Sequence, residues 1–273
     1  MAEPIWITDP DDPRAMRFRL RDRQLAPRQP APNAPQGLFV AEGDLVVERA
    51  LDSGYVLDSV LADPRRRPAC LARIPEDTPV LLADIAVRER LTGFGVQLDV
   101  AALFHRRPLP SVDRIAAGGR RIAVLEAVDN PANLGAIVRS AAALGIDAVL
   151  VDPTGADPYA RRCVRTSMGT SLRLPIGRAT ALPDGLTPLR VAGFTIAAFS
   201  PSGTIDLTDL ALEEVPRIAV LLGSERGGLT EATKAGADLV VRIPMATGVD
   251  SLNVAAAAAI VFYAIRAAGA EQS

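Results

Sequence analysis

The chain predicts an α/β protein of two domains, and three observations predict it. Short apolar runs alternate with helix-patterned stretches. From residue 120 onward strand, loop and helix repeat, as in a largely parallel sheet covered on both faces. The rhythm breaks once, around Pro108, Pro110 and the Gly118-Gly119 pair. With 273 residues, of which 49% are hydrophobic, the chain can build a sizeable core, as one large domain or two ordinary ones.

Residues 1–36, rich in Pro, Asp and Arg, form an N-terminal arm, extended or partly helical. Arg14–Leu25 is its one plausible helical piece, and Ala26–Gln36 reads as a linker. A small α/β domain follows over residues 37–113, with strands at Leu38–Ala41, Val56–Ala62 and Pro79–Ala83, a helix over Asp44–Asp52 and another from Asp84. Residues 114–273 repeat strand, loop and helix. Ile122–Ala127 leads into a helix from Leu134; then come a strand at Ala148–Val151 and a helix across Tyr159–Ser167. A strand over Leu189–Ala192 or Thr195–Phe199 precedes those at Ile218–Leu222 and Leu239–Ile243. Such a succession implies a largely parallel sheet whose ligands gather beyond the carboxyl ends of its strands. The last helix, Val254–Ile265, has strong helix formers and no polar face, which predicts burial inside the protein, with Asp250 or Ser251 as its cap.

Composition bounds the function. The longest apolar run is too short for the roughly 20 residues that cross a bilayer, and the first residues carry acids and arginines in place of an apolar leader. A cytoplasmic location is the expectation, with no membrane partner. Cys70 and Cys163 stand apart from each other and from His105, so neither a disulfide framework nor a metal site is indicated, and both read as core residues. Net charge is −2 and evenly spread, with 16 basic and 17 acidic side chains before residue 116. Net charge therefore announces no polyanion partner, although Arg14–Arg28, Arg65–Arg67, Arg106-Arg107, Arg120-Arg121 and Arg161–Arg165 form local clusters. Lys234 is the only lysine.

Three loops carry chemistry. In Asp129–Ser140, Asn133 lies near the start of a helix and Arg139 about 240 degrees further round it. They cannot share one face, but Asn133 can turn to a ligand from the preceding loop while Arg139 extends from below; an N-cap and a structural ion pair are the alternatives. In Leu221–Leu229, Gly223, Gly227 and Gly228 allow close backbone approach or positive φ, without the spacing of a phosphate loop or a dinucleotide fingerprint. The third loop, Ile243–Asn253, brings a hydroxyl and a carboxamide to the start of the last helix, where free backbone N–H groups can bind anionic oxygens.

Together, Asn133-x-Gly135-x-x-x-Arg139, Gly223-Ser224-Glu225-x-Gly227-Gly228-Leu229, and Ile243-Pro244-Met245 with Ser251-Leu252-Asn253 resemble the three motifs of the SpoU-type (TrmH-like) RNA 2′-O-ribose methyltransferases of the SPOUT class, in order and spacing. Asp157-Pro158-Tyr159 and Arg165–Gly169 are similar to the family's connecting segment, and Phe39–Gly43 resembles the start of the L30e-like RNA-binding domain that often precedes the catalytic one. The resemblance implies a C-terminal trefoil knot, an exception to the general absence of knots. It also implies S-adenosyl-L-methionine bound by Leu222, Gly223, Ile243, Met245, Ser251 and Leu252, a catalytic set of Asn133, Arg139, Glu225, Ser251 and Asn253, RNA contacts from Arg139 and Arg165, a homodimer, and no metal. The implied reaction is attack of a ribose 2′-hydroxyl on the sulfonium methyl carbon. A guanidinium, with a pKa above about 12, suits stabilisation of developing alkoxide charge better than proton abstraction. The RNA expected is ribosomal in preference to transfer RNA, and the alternative is a non-catalytic RNA-binding or ribosome-assembly protein on the same scaffold.

Overall fold

The computed structural model describes residues 3–26, 37–66, 68–93, 99–210 and 215–270. Apart from Ala26, the expected linker Ala26–Gln36 lies outside them, as do Arg28 and Arg67. The chain divides into two compact units, Met1–Pro108 with Tyr159–Arg173, and Leu109–Pro158 with Leu174–Ser273. The segment Tyr159–Arg173 thus packs with the first unit although it follows the start of the second.

In the first unit the elements are β1 (Ile5–Trp6), α1 (Asp22–Leu25), β2 (Leu38–Glu42), α2 (Asp44–Asp52), β3 (Leu57–Ala62), β4 (Val80–Leu82), α3 (Ile85–Thr92) and β5 (Val100–His105). The strands form one sheet in the order β1-β4-β3-β5-β2, parallel at β1–β4 and β3–β4 and antiparallel at β3–β5 and β2–β5. Asp84 caps α3 by accepting from the Val87 N–H at 2.9 Å, and Gly93 ends it at φ +66°, a conformation that costs glycine nothing. The helical piece expected at Arg14–Leu25 is split into a 3-10 turn, Met16–Arg19, and α1, because Leu20 and Arg21 are extended between them. Phe18 and Leu25 still reach the core with Ile7, Leu61, Leu81 and Leu103.

A buried carboxylate sits in this unit. Glu42, 4% exposed, lies 3.5 Å from the Arg161 guanidinium and 3.7 Å from that of Arg165. Arg161 also donates to the carbonyls of Phe18 at 3.0 Å and Thr92 at 3.1 Å. Desolvation pushes the Glu42 carboxyl above its ordinary pKa, against the pull of both arginines. Phe39 packs against Tyr55, Phe104 and Tyr159, the last from the inserted segment.

The second unit contains α4 (Val112–Gly118), β6 (Arg121–Glu126), α5 (Pro131–Ala143) and β7 (Ala148–Val151). After α6 (Arg161–Thr166), which belongs to the first unit, come β8 (Ile176–Arg178), α7 (Thr187–Val191), β9 (Thr195–Phe199), β10 (Ile205–Asp206), β11 (Ile218–Gly223), α8 (Glu231–Ala235), β12 (Leu239–Arg242) and α9 (Val254–Ala270). The strands stand in the order β10-β12-β9-β11-β6-β7-β8, and every pairing is parallel. Their continuous apolar runs follow from this: Ile122, Val124, Leu150, Ile196, Ala198, Ala219 and Leu221 fill one core with side chains of α4 and α7.

Two expectations are corrected here. The helix expected from Leu134 begins at Pro131, because Asn130 caps it by accepting from the Ala132 N–H at 2.9 Å and proline tolerates the first helical position. Asn133 is therefore in the first turn, neither loop nor cap. The last helix is not buried all round. Val254, Ala258, Val261, Phe262 and Ile265 form one buried stripe, whereas Ile260 is 41% and Tyr263 65% exposed. The buried stripe accompanies packing of α9 on α5, where Arg266 donates to the Ala143 carbonyl at 2.7 Å. Among the described residues no helix is long and apolar enough to cross a membrane.

Candidate functional site

The carboxyl ends of β12, β9, β11 and β6 lie side by side, and the loops leaving them converge. The β11 loop owes its shape to Gly223. A Cβ there would overlap the backbone of Gly228 and Leu229, because the loop folds straight back on its own strand end. The Gly228 N–H donates to the Ser224 carbonyl at 2.8 Å, and Gly228 itself has φ +64°. At this glycine the close approach is backbone to backbone. The far end of the loop is tied down by Glu126, at the end of β6, whose carboxylate accepts from the Thr230 N–H at 2.9 Å and the Thr233 hydroxyl at 2.7 Å. Glu126 is 6% exposed, so these bonds are shielded from water.

Two cavities open between the loops. One, of about 310 Å³, is lined by Leu222, Gly223, Ile243, Met245, Ser251 and Leu252, together with Ser224, Glu225, Phe199, Ser200, Pro201, Glu231 and Lys234. The other, of about 240 Å³, is lined by Asn133, Asp129, Asn130, Ala127, Val128 and Arg226, and shares Ser224, Glu225 and Val254 with the first. Ala127, which lines it, holds φ +53°, a conformation sparsely used by residues with a side chain and often retained at functional sites.

Asn253 joins the loops. Its side-chain carbonyl accepts from the Ala255 N–H at 2.9 Å and so caps α9; neither Asp250 nor Ser251 does this. Its amide nitrogen donates to Glu225 Oε1 and, at 3.4 Å, to Asn133 Oδ1. Asn133, Glu225 and Asn253, one from each sequence motif, are thereby in one hydrogen-bonded cluster beside the edge shared by the cavities. The cap explains the geometry: once Asn253 Oδ1 points into the helix, Nδ2 must point out of it.

All six residues expected to bind the cofactor line the first cavity, as does Ser251 in its second expected role. Glu225 lines both cavities and Asn133 the second. Arg139 is exposed on α5, two turns beyond Asn133, and lines neither. Arg165 belongs to the first unit, where its guanidinium faces Glu42. Sequence reasoning missed Phe199–Pro201, at the end of β9, and the pair Glu231–Lys234, joined at 2.6 Å on α8. For Lys234 there was one signal, its being the sole lysine. No group of three or more His, Cys, Asp or Glu able to hold a metal ion occurs among the described residues.

The arrangement suits a small molecule with a flat apolar part and charged ends. Phe199, Leu222, Ile243, Met245 and Leu252 offer an apolar wall, and Glu225, Glu231 and Lys234 bring charges of both signs. A cavity of this size is at the small end of the range for such sites, about 300–1,000 Å³. The neighbouring amides and carboxylate present both donors and acceptors to a hydroxyl delivered from the second cavity.

Residues 120–263 match the family described as SpoU rRNA Methylase family. An uncharacterized tRNA/rRNA methyltransferase of Mycobacterium bovis is 42% identical over 264 residues, covering 94% of this chain and 90% of the relative. A 23S rRNA (guanosine(2553)-2′-O)-methyltransferase of Bacillus subtilis is 28% identical, covering 84% of this chain and 88% of the relative. Among solved structures, an AdoMet-bound rRNA methyltransferase from Sinorhizobium meliloti superposes with a TM-score of 0.80 at 26% identity, covering 96% of this chain and 97% of that one.

Proposed function

The chain belongs to the SpoU rRNA methylase family, and from that premise we propose that it methylates the 2′-hydroxyl of a ribose in ribosomal RNA, with S-adenosylmethionine as methyl donor. One observation carries the reading: residues of the second and third motifs line a single cavity, next to a cluster of two amides and a carboxylate, one group from each of the three motifs, and Asn133 and Glu225 of that cluster line a second cavity. The cofactor, when bound, supplies a methyl group on a cationic sulfur.

The chain's own residues do the rest. Leu222, Ile243, Met245 and Leu252 wall the flat, apolar part of the donor, and backbone groups beside Gly223 are accessible to its polar edge. Ser251 and Glu225, on the wall of the same cavity, would hold the methyl-bearing end, where a carboxylate favours positive charge on sulfur. Asn133 and Asn253, held by their mutual bonds and by the cap, orient the ribose hydroxyl toward that end. Alignment of this kind is worth roughly 7–11 kcal/mol in well-oriented reactions. Arg139 stabilises the developing alkoxide or holds a neighbouring phosphate.

Arg139 lies outside both cavities, and the exposed Ile260 and Tyr263 are on α9, which packs on the same helix. These facts support a homodimer in which the α5–α9 layer is covered by a second copy and the site is completed there. The return of α9 from β12 past β9 to α5 supports the trefoil knot, and the mixed sheet of the first unit supports an L30e-like, RNA-binding role, to which Arg165 contributes. Mapping 2′-O-methyl positions in ribosomal and transfer RNA from cells with and without the gene tests the proposal. One ribosomal position lost with the gene is the expected result. Cofactor binding without transfer to any RNA would point instead to a non-catalytic RNA-binding or ribosome-assembly protein on the same scaffold.

A further inference from the structure

We infer that Lys234 and Glu231 form a charged clamp for the amino-acid end of the methyl donor, with the Lys234 ammonium holding its carboxylate. The inference rests on the donor reading above and adds a subsite that none of the three motifs contains. Lys234 is the chain's single lysine and lines the first cavity on α8. Its side chain is only 15% exposed, although its partner Glu231, 2.6 Å away, is 90% exposed. Its other bond is a long one, 3.4 Å to the Ser202 hydroxyl. An ammonium has three donors, so this one reaches the cavity wall with hydrogen-bonding capacity to spare.

Charge decides which part of the ligand it meets. The donor carries two cationic groups, the sulfonium and the α-ammonium, and one anionic group, the carboxylate. The charged side chains lining the cavity are Glu225, Glu231 and Lys234, so Lys234 is the cation among them. Complementarity places the carboxylate on Lys234 and the α-ammonium on Glu231, leaving Glu225, in the cluster with Asn253, to the sulfonium. A lysine against either cationic group would instead repel it.

The test compares three ligands by calorimetry on the full-length protein: S-adenosylmethionine, its decarboxylated form, which keeps the ammonium but lacks the carboxylate, and 5′-methylthioadenosine, which lacks the whole amino-acid end. The wild type should prefer S-adenosylmethionine to the decarboxylated form by roughly 10- to 100-fold, the usual worth of a hydrogen bond to a charged group. In Lys234→Met, which keeps the aliphatic stem, that preference should vanish while 5′-methylthioadenosine binds as before, which also shows that the variant is folded. An unchanged preference in Lys234→Met, or equal weakening of all three ligands, overturns the clamp and leaves the donor reading standing. If the wild type binds none of the three, the donor reading falls and the clamp with it.

Discussion

Replacing Asn253 by Asp separates two jobs that this side chain does at once. One oxygen caps α9, at 2.9 Å from the Ala255 N–H, while the amide nitrogen binds Glu225 and Asn133. Aspartate is as good a cap as asparagine, and a negative charge at a helix N-terminus is worth about 0.3–1 kcal/mol. Against this, the new carboxylate faces Glu225. Two charges about 4 Å apart repel by ~1 kcal/mol in water and ~4 kcal/mol nearer the interior, and both residues are exposed, so the lower value applies. Stability of Asn253→Asp should thus stay within about 1 kcal/mol of wild type. Methyl transfer should fall roughly 100- to 1,000-fold, as when one oriented donor is removed from a reacting centre. Asn253→Ala should lose the activity and also ~1 kcal/mol of stability with the cap. Urea unfolding and transfer of labelled methyl to ribosomal RNA, measured on both variants, decide the matter. Wild-type transfer by Asn253→Asp would refute the role given to the amide, and an undiminished Asn253→Ala unfolding midpoint would refute the cap.

Gly223→Ala must push the β11 loop off its own strand, since a Cβ there has no room; a loss of about 1–3 kcal/mol in thermal unfolding is expected, with weakened binding of S-adenosylhomocysteine by calorimetry. Arg139→Ala, outside both cavities, should keep cofactor affinity within severalfold while methyl transfer collapses; an active variant would remove Arg139 from the site. Glu42 gives a pH dependence. Its pKa is raised in the fold, so it binds more protons folded than unfolded, and the stability it contributes is complete below the ordinary glutamate value and is lost as pH rises through the higher folded value. Relative to Glu42→Gln, the wild type should therefore lose stability between these two values and level off above them, as read from urea midpoints in a pH series that starts below the ordinary glutamate value.

Much of the second unit was legible because its chemistry is regular. Continuous apolar runs such as Ile218–Leu222 signal strands with neighbours on both sides, and three glycine-, proline- and asparagine-bearing loops follow such runs at fixed places. Short strands were not legible: β8 and β10 span three and two residues, too few for any period. β5 is absent from the sequence reading although Val100–Phe104 is as continuous and as wholly buried a run as Ile218–Leu222. The α9 prediction failed for a different reason. Alanine is so small and so strong a helix former that a run of it shows neither face, and only the placement of Ile260 and Tyr263 tells which side is open. Within the site, the motif residues could be found from the chain alone, whereas the Asn253 cap and the Lys234 clamp depend on where side chains point after folding.

The path of the chain between β7 and β8 sets an order of events during synthesis. Tyr159–Arg173 supplies the first unit with Tyr159 against Phe39 and with both guanidinium groups beside Glu42. Until residue 173 has left the ribosome, that unit holds a buried carboxylate without its counter-charges and an uncovered aromatic cluster. The amino-terminal unit can be completed only after residues 109–158 of the second unit have been made, so strict domain-by-domain maturation, in which one unit is finished before the next begins, is closed to it. A fragment ending at Pro108 should for the same reason be a poor stand-in for the unit, and any dissection of this protein has to carry the inserted segment along with it.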